Sequence, residues 1–234
     1  MRLQAVESRR LYLQIAAQIR SLIVSGEVPR GARLPAERDL AKQLEVSRPS
    51  LREALIALEI EGLLDVRVGS GIYVKQPGAR VDGADLRDAH GPFEVIRARW
   101  LIEGECAALA ARNATPAQVR AIREAHAHMV EETRGNPNPL EADRAFHARI
   151  AEASGNSALL LVVQTLWDLR AGPLYRALER KLDASSLVAG TLSEHQAIFE
   201  AVAKGDARAA RAPARRHMNM SRKRYSKDWK EAGN

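Results

Sequence analysis

Cysteine and long apolar runs are scarce in this 234-residue chain. Cys106 is the single cysteine, which excludes an intrachain disulfide, and its apolar neighbours indicate a buried small residue without chemistry. No run approaches the eighteen or so uncharged residues of a membrane span, and Met1-Arg2 is not followed by an apolar signal segment. We therefore expect a cytoplasmic protein with no membrane partner.

Excess charge is also missing from most of the chain. The net charge is +7, but residues 204–234 hold ten Lys or Arg and three Asp or Glu, so the remainder sums to zero. A basic C-terminal stretch is more often a solvated helix end than a binding arm. The net charge is thus weak evidence for nucleic-acid binding, and only local motifs can indicate it.

The first 75 residues follow the order helix, short helix, tight turn, helix, hairpin. Apolar residues recur at helical spacing from Leu11 to Ile23. A short helix over about 36–44 is followed by a helix that Ser47 caps and that ends before Gly62. Residues 64–74 alternate around Gly69-Ser70-Gly71, which favours a β-hairpin. We predict a winged helix-turn-helix over 1–75 and a linker rich in Gly, Pro and Asp over 76–92.

Hydrogen-bond donors crowd the start of the third helix. A recognition helix faces base edges with its first two turns, where arginine can bind guanine and serine hydroxyls suit phosphates. The candidate DNA contacts are Arg33, Arg38, Ser47, Arg48, Ser50 and Arg52. The alternative is a solvated basic helix, and the hairpin and tight turn favour the DNA interpretation.

The rest of the chain lacks strand signals. Ala-, Leu- and Arg-rich segments at 93–112, 116–134, 140–153, 157–182, 193–204 and 207–225 all predict helices. We therefore expect a mainly α protein whose C-terminal domain, over 93–228, is an all-α antiparallel helical bundle, with a tail over 229–234.

Asp143 and His147 are four residues apart, which places both on one helix face. Such a pair is more often a surface pair than a ligand pair. His195 and His217, on later helices, could complete a set of one oxygen and three imidazoles around a divalent transition metal. Pro213 precedes His217 by four residues and predicts a kink or a late helix start, which leaves the position of His217 open.

The N-terminal motifs resemble the GntR family of bacterial regulators. The resemblance lies in GARLPAERDLA at 31–41, VSRPSLREAL at 46–55, LEIEGLL at 58–64 and RVGSGIYV at 67–74. It implies that Arg38, Ser47, Arg48, Ser50 and Arg52 contact the operator. It also implies that Gly69, at the tip of the wing, lets the backbone approach the minor groove.

The segment from about 93 to 225 resembles the helical effector domain of the FadR-type branch of that family. The shared features are Asp-x-x-x-His, a His before a helix rich in Ala and Ile, and a last His after Gly205-Asp206. The resemblance implies that Asp143, His147, His195 and His217 bind a divalent metal. Zinc is favoured, with nickel and manganese as alternatives.

A metal with open positions next to a fixed guanidinium suits a small carboxylate effector. Arg99 stands four residues before Glu103, as in the family's Arg-x-x-x-Glu, although the two could also form a surface ion pair. Trp167, Arg170 and Tyr175 are further pocket candidates, while a Trp at helical spacing is usually core. GPFE at 91–94 and EHQAI at 194–198 resemble hexuronate-utilisation regulators and favour a sugar acid.

The predicted function is a homodimeric repressor that an effector releases from a palindromic double-stranded DNA operator. One alternative is a metalloenzyme with a DNA-binding appendage, in which Glu152 or Glu194 acts as a base beside the metal ligands. No His-Glu-x-x-His, Gly-x-Ser-x-Gly or phosphate-loop motif supports it. A further alternative is a regulator whose metal is purely structural.

Overall fold

The computed structural model describes residues 10–67, 70–75, 86, 89–136, 139–181 and 190–231, with side chains up to residue 226. The chain divides into two compact units, the first running to Phe93 and the second covering Glu94–Lys227. The first unit contains α1 (Leu11–Val24), α2 (Glu37–Gln43), α3 (Arg48–Ile60), β1 (Leu64–Arg67) and β2 (Gly71–Val74). The later helices are α4 (Pro92–Asn113), α5 (Pro116–Glu132), α6 (Leu140–Ala153), α7 (Ser157–Asp168), α8 (Pro173–Glu179), α9 (Thr191–Ala203) and α10 (Ala207–Glu231).

Helix α3 forms the centre of the first unit. The Ser47 side chain caps it by accepting a hydrogen bond from the Ser50 N–H, and proline in the first turn needs no intrahelical partner. Leu51, Leu55 and Leu58 are fully buried on its apolar face, and α3 packs against α1. Strands β1 and β2 pair antiparallel. This arrangement confirms the winged helix-turn-helix.

The chain that follows the wing returns to α1. The Tyr12 hydroxyl, on α1, donates to the carbonyl oxygens of Leu86 at 3.0 Å and Ala89 at 2.7 Å. Leu86 itself is buried. Of the linker predicted over 76–92, the described residues therefore include a segment held in place by α1.

Helices alone form the described part of the second unit. Helix α5 packs against α6 and α9, and α6 packs against α7. Ile122, Phe146, Val163 and Ile198 are almost completely buried between these helices. The mainly α fold class is confirmed. Within the described residues, no helix combines the length and the apolar character that a membrane crossing requires.

Two helix predictions need correction. The segment 157–182 is not one helix: α7 ends at Asp168, a 3₁₀ turn covers Leu169–Ala171, and α8 begins at Pro173. Gly172 is extended, and Pro173 cannot donate to a preceding turn. Conversely, α10 neither kinks to a stop nor starts late at Pro213 but runs from Ala207 to Glu231. It therefore also extends into the predicted tail.

Cys106 is 1% exposed in the core of the second unit, and burial raises the pKa of its thiol to about 12. We predict that iodoacetamide at pH 8 does not label the folded protein, because the thiolate is the nucleophile. The same reagent should label the chain in guanidinium chloride. Since the sequence has no other cysteine, mass spectrometry reads this site alone, and rapid labelling of folded protein would contradict the burial.

Candidate metal centre and DNA-binding surface

Three imidazoles and one carboxylate converge inside the second unit. Helix α6 supplies Asp143 and His147, α9 supplies His195, and α10 supplies His217. The Nε2 atom of His195 lies 3.1 Å from that of His147 and 3.2 Å from that of His217. All four potential ligand atoms lie within 4.8 Å of one another. Continuity of α10 through Pro213 keeps His217 in the cluster.

Carboxylates fix the orientation of two of these rings. Nδ1 of His147 lies 2.8 Å from Glu103, and Nδ1 of His217 lies 2.7 Å from Glu194. A carboxylate that accepts from Nδ1–H leaves the Nε2 lone pair free for the centre of the cluster. Arg99 binds Glu103 at 2.6 Å, and Arg224 binds Glu194 at 2.8 Å. His147 is thus bonded to Glu103, which is bonded to Arg99. His217 is likewise bonded to Glu194, which is bonded to Arg224.

Burial and neighbouring charges set the protonation of the cluster. Burial lowers the pKa of His195 well below its ordinary value, and His217 beside it lowers that pKa further. Burial would raise the pKa of Asp143, but the nearby histidines and Arg170 outweigh it and keep that pKa well below its usual range. Burial also opposes ionisation of Glu103, yet Arg99 and His147 lower its pKa to about 2. These shifts favour an ionised Asp143 and a neutral imidazole at His195, the forms in which both side chains bind a divalent metal. Burial lowers the pKa of His147, but Glu103 and Asp143 outweigh it and raise that pKa above its ordinary value.

The donor atoms fit a divalent transition ion. Two imidazole nitrogens bound at about 2.1 Å to one ion lie roughly 3.0 to 3.4 Å apart, depending on the coordination number, and the observed separations of 3.1 and 3.2 Å agree. Buried Oδ1 of Asp143 lacks a hydrogen-bond partner among the described residues. It lies 3.3 Å from Nε2 of His147 and 3.4 Å from that of His195. A cation at the centre of the cluster would supply a partner for this oxygen.

The four candidate effector residues also come together. The Arg99 guanidinium lies 4.0 Å from the Trp167 ring centroid, and that of Arg170 lies 4.7 Å from it and 5.3 Å from the Tyr175 centroid. The ion pair between Arg99 and Glu103 exists, but both side chains are at most 5% exposed. It is therefore a buried pair, which corrects the alternative of a surface pair.

A cleft opens beside the cluster. Its lining includes three arginines, Arg99, Arg170 and Arg224, together with Asp143 and His217. Trp167 and Tyr175 lie behind Arg99 and Arg170, and they are not among the lining residues. A cleft that presents three guanidinium groups next to the cluster of Asp143 and three histidines favours an anionic ligand.

The predicted DNA contacts divide by exposure. Arg33, Arg38 and Ser47 are exposed, while Arg48 and Ser50 are partly exposed at the start of α3. These five residues are open to an external partner. Gly69 lies outside the described residues.

Arg52 is the exception, because it is 2% exposed. Its guanidinium donates to both carboxylate oxygens of Glu37, at 2.9 and 3.1 Å. Glu37 also accepts from Arg48 at 3.0 Å. Direct contact of Arg52 with an operator is therefore not supported by this structure. The pair instead ties α2 to α3 and so positions Arg48.

The GntR model of bacterial regulatory proteins matches residues 11–74, and the FCD domain model matches residues 94–220. The Uxu operon transcriptional regulator of Escherichia coli strain K12 is 37% identical over 228 residues, covering 94% of this chain and 88% of the relative. The chain belongs to the GntR family. It is a DNA-binding transcription regulator, and the metalloenzyme alternative is not supported, because its relatives are regulators.

Other relatives agree with this family. The Exu regulon transcriptional regulator of the same organism is 34% identical over 227 residues, covering 94% of this chain and 86% of the relative. Among solved structures, E. coli McbR/YncC has a TM-score of 0.51 at 22% identity and covers 93% of this chain and 97% of its own. At that identity the structural match supports the fold alone. The resemblance to GntR regulators of the FadR and hexuronate type is confirmed.

The sequence does not reveal every residue of the centre. It indicates Glu103 only as the partner of Arg99 and Glu194 only as a base in the enzyme alternative, whereas in the structure both bind imidazoles. No sequence motif indicates Arg224. It follows His217 by seven residues, two helical turns, so the shared helix face was the available signal.

We predict that Arg52→Ala lowers the free energy of unfolding by about 2 kcal/mol, because buried Glu37 loses the three hydrogen bonds that this charged donor makes to it. Arg38→Ala, on the exposed face of α2, should leave the unfolding midpoint unchanged and weaken binding to DNA. Denaturant unfolding and fluorescence anisotropy with DNA selected from a random pool measure the two effects. Equal stability of both variants would contradict the assignment of Arg52.

Proposed function

We propose that this chain is a repressor of a sugar-acid catabolic operon, released from its operator when a small carboxylate binds beside a metal in the second unit. Residues 1–75 read DNA and residues 93–228 sense the ligand. The observation that carries the proposal is the convergence of Asp143, His147, His195 and His217 next to a cleft lined by three arginines.

The four converging side chains hold the metal, and zinc is the ion we favour, with nickel and manganese as alternatives. When bound, the ion supplies Lewis-acid positions that accept an oxygen of the ligand. Glu103 and Glu194 orient the rings from outside the ligand set. Such outer carboxylates raise the basicity of the imidazoles and fix their tautomer.

A carboxylate is the ligand class that the cleft fits best. Arg99 and Arg170 both contact the Trp167 face, which limits the motion of their planar forks. Burial raises the pKa of Tyr175 and keeps its hydroxyl protonated. Within the described residues, the buried Nε of Arg170 lacks a hydrogen-bond partner. The charged forks of the arginines that line the cleft bind the acid group of the ligand.

The names of the relatives support the proposed class of operon. The two E. coli regulators named above control the Uxu operon and the Exu regulon by their names, which supports a hexuronate or related sugar acid. A homodimer would place two winged helices on a palindromic operator, as two-fold symmetry requires. Ligand binding releases DNA only if it favours a different arrangement of the two winged helices. We place the regulator in the cytoplasm, with its operator.

We predict one zinc ion per chain by elemental analysis. His195→Ala removes a ligand and should abolish stoichiometric zinc. Glu194→Gln keeps all four ligands but loses the charged partner of His217, so zinc affinity should fall by about 10- to 100-fold. His128→Ala, an exposed histidine on α5, is the matched control and should retain zinc. Full zinc content in His195→Ala would refute the site.

We further predict that one of D-glucuronate, D-galacturonate and D-gluconate raises the unfolding midpoint of the zinc-loaded protein. Saturation at a hundred times the Kd corresponds to about 2.7 kcal/mol, or roughly 5–10 °C for a chain of this size.

Arg99→Lys keeps a positive charge near Glu103 but loses the planar fork. It should reduce affinity for the acid at least about tenfold while zinc content is retained. Arg211→Lys, whose side chain pairs with Glu105 away from the cleft, is the control. If zinc removal lowers the midpoint and no acid raises it, the metal is purely structural and the effector proposal fails.

A further inference from the structure

The recognition helix also holds the start of α4. Glu53, in the second turn of α3, is 6% exposed, and its Oε1 accepts a hydrogen bond from the Phe93 N–H at 2.8 Å. Phe93 is the second residue of α4, so its N–H is one of the amides that no partner inside the helix satisfies. A carboxylate at this position also interacts favourably with the helix dipole.

A glycine provides the room for this contact. A Cβ atom on Gly91 would lie within 2.5 Å of the Cδ, Oε1 and Oε2 atoms of Glu53. Any larger residue at 91 must therefore displace the carboxylate. Pro92 follows as the first residue of α4, where a missing N–H costs nothing. In the motif GPFE at 91–94, Gly91 leaves room for the Glu53 carboxylate and Phe93 donates its N–H to it. These two positions are therefore explained without any ligand.

The neighbouring residue of α3 makes a second contact with the same segment. The Arg52 guanidinium lies 6.0 Å from the ring centroid of Phe93, which is itself 6% exposed. Arg52 is also the residue that holds Glu37. All of these residues belong to the first unit. The start of α4 is therefore packed onto the recognition helix just beyond its predicted DNA-contacting turn.

The same helix carries two residues of the candidate effector site. Arg99 follows Phe93 by six residues, about 9 Å along the axis of a continuous α-helix. Glu103, one turn later, holds His147. An α-helix is stiff compared with a loop. A displacement of α4 at Arg99 or Glu103 would therefore also move its first turn by a similar distance.

We propose that the contact of Glu53 with the Phe93 amide, seated over Gly91, is the joint that transmits the state of the metal and effector site to the recognition helix. This inference rests on the proposed function for the signal, but the joint itself is defined by residues of the first unit. Glu53 is a positioning residue and touches neither DNA nor ligand in this role.

Hydrogen exchange of α3 amides in the full-length chain, with zinc bound and with zinc removed, measures the transmission. Zinc should slow exchange across residues 48–60 by on the order of fivefold in the wild type. Glu53→Ala should lose this response, although it still binds zinc. No zinc response in the wild type, or an undiminished one in Glu53→Ala, would overturn the proposal.

Glu59→Ala is the matched control. Glu59 lies on the same helix and accepts from the backbone N–H of Val66 at 3.1 Å, so it makes the same kind of bond but within the winged helix. Its substitution should lower stability and retain the zinc response. If Glu59→Ala loses the response as fully as Glu53→Ala does, general loosening of α3 explains the effect and the joint is refuted.

Gly91→Ala disturbs the same contact between Glu53 and Phe93 by placing a methyl group where the Glu53 carboxylate lies. It should lose the zinc response by displacing the carboxylate, and it should add nothing in a Glu53→Ala background, where the new methyl group has space. Additive effects of the two changes would contradict the joint.

Zinc content is measured first, because a chain that binds no zinc refutes the proposed function rather than the joint. In that case Arg99→Ala, which disturbs α4 directly, replaces zinc removal as the perturbation. The joint is then refuted if Arg99→Ala leaves the hydrogen-exchange rates of α3 unchanged. It is also refuted if Arg99→Ala changes those rates by the same factor in the wild type and in the Glu53→Ala variant.

Discussion

Three imidazole rings are buried against one another at Nε2 separations of 3.1 and 3.2 Å, and the architecture of the second unit depends on keeping them there. Unpaired buried polar groups are costly. Two rings are therefore bonded to carboxylates and the carboxylates to arginines, so that charge is balanced outward from the centre. The carboxylate pairs connect α4 to α6 and α9 to α10, and the contacts among the rings connect α6, α9 and α10. The cluster therefore also holds these helices together.

This arrangement also explains how one arginine can serve two roles. Arg99 neutralises Glu103, which orients His147, and the same guanidinium lines the cleft against Trp167. Under the proposed function, an anion bound there would compete for the Arg99 donors that hold Glu103, and Glu103 in turn holds the His147 ring. Shared hydrogen bonds of this kind are what a sensor would need if its output were the shift of a helix.

In the first unit, too, a carboxylate that pairs with arginines connects neighbouring helices. Glu37 accepts from both Arg48 and Arg52, so the short helix α2 fixes the side chains that begin the recognition helix. One face of α3 is buried in leucines, its start is open to an external partner, and Glu53 faces the segment that opens α4. The helix that reads DNA is thereby the element to which the rest of its unit is attached.

The sequence by itself determined the helix order of the first unit, the wing, the family and the four side chains that converge in the second unit, because these depend on local periodicity, on turn residues and on short motifs. The local pattern at Pro213 predicts a kink or a late helix start, whereas α10 runs through this proline from Ala207 to Glu231. Tertiary structure alone decided that Arg52 is buried, that Glu194 serves His217, and that Arg224 holds Glu194. It also decided that Gly91 leaves room for Glu53. Each of these facts concerns side chains far apart in sequence, whose meeting is set by how helices pack rather than by what each helix encodes.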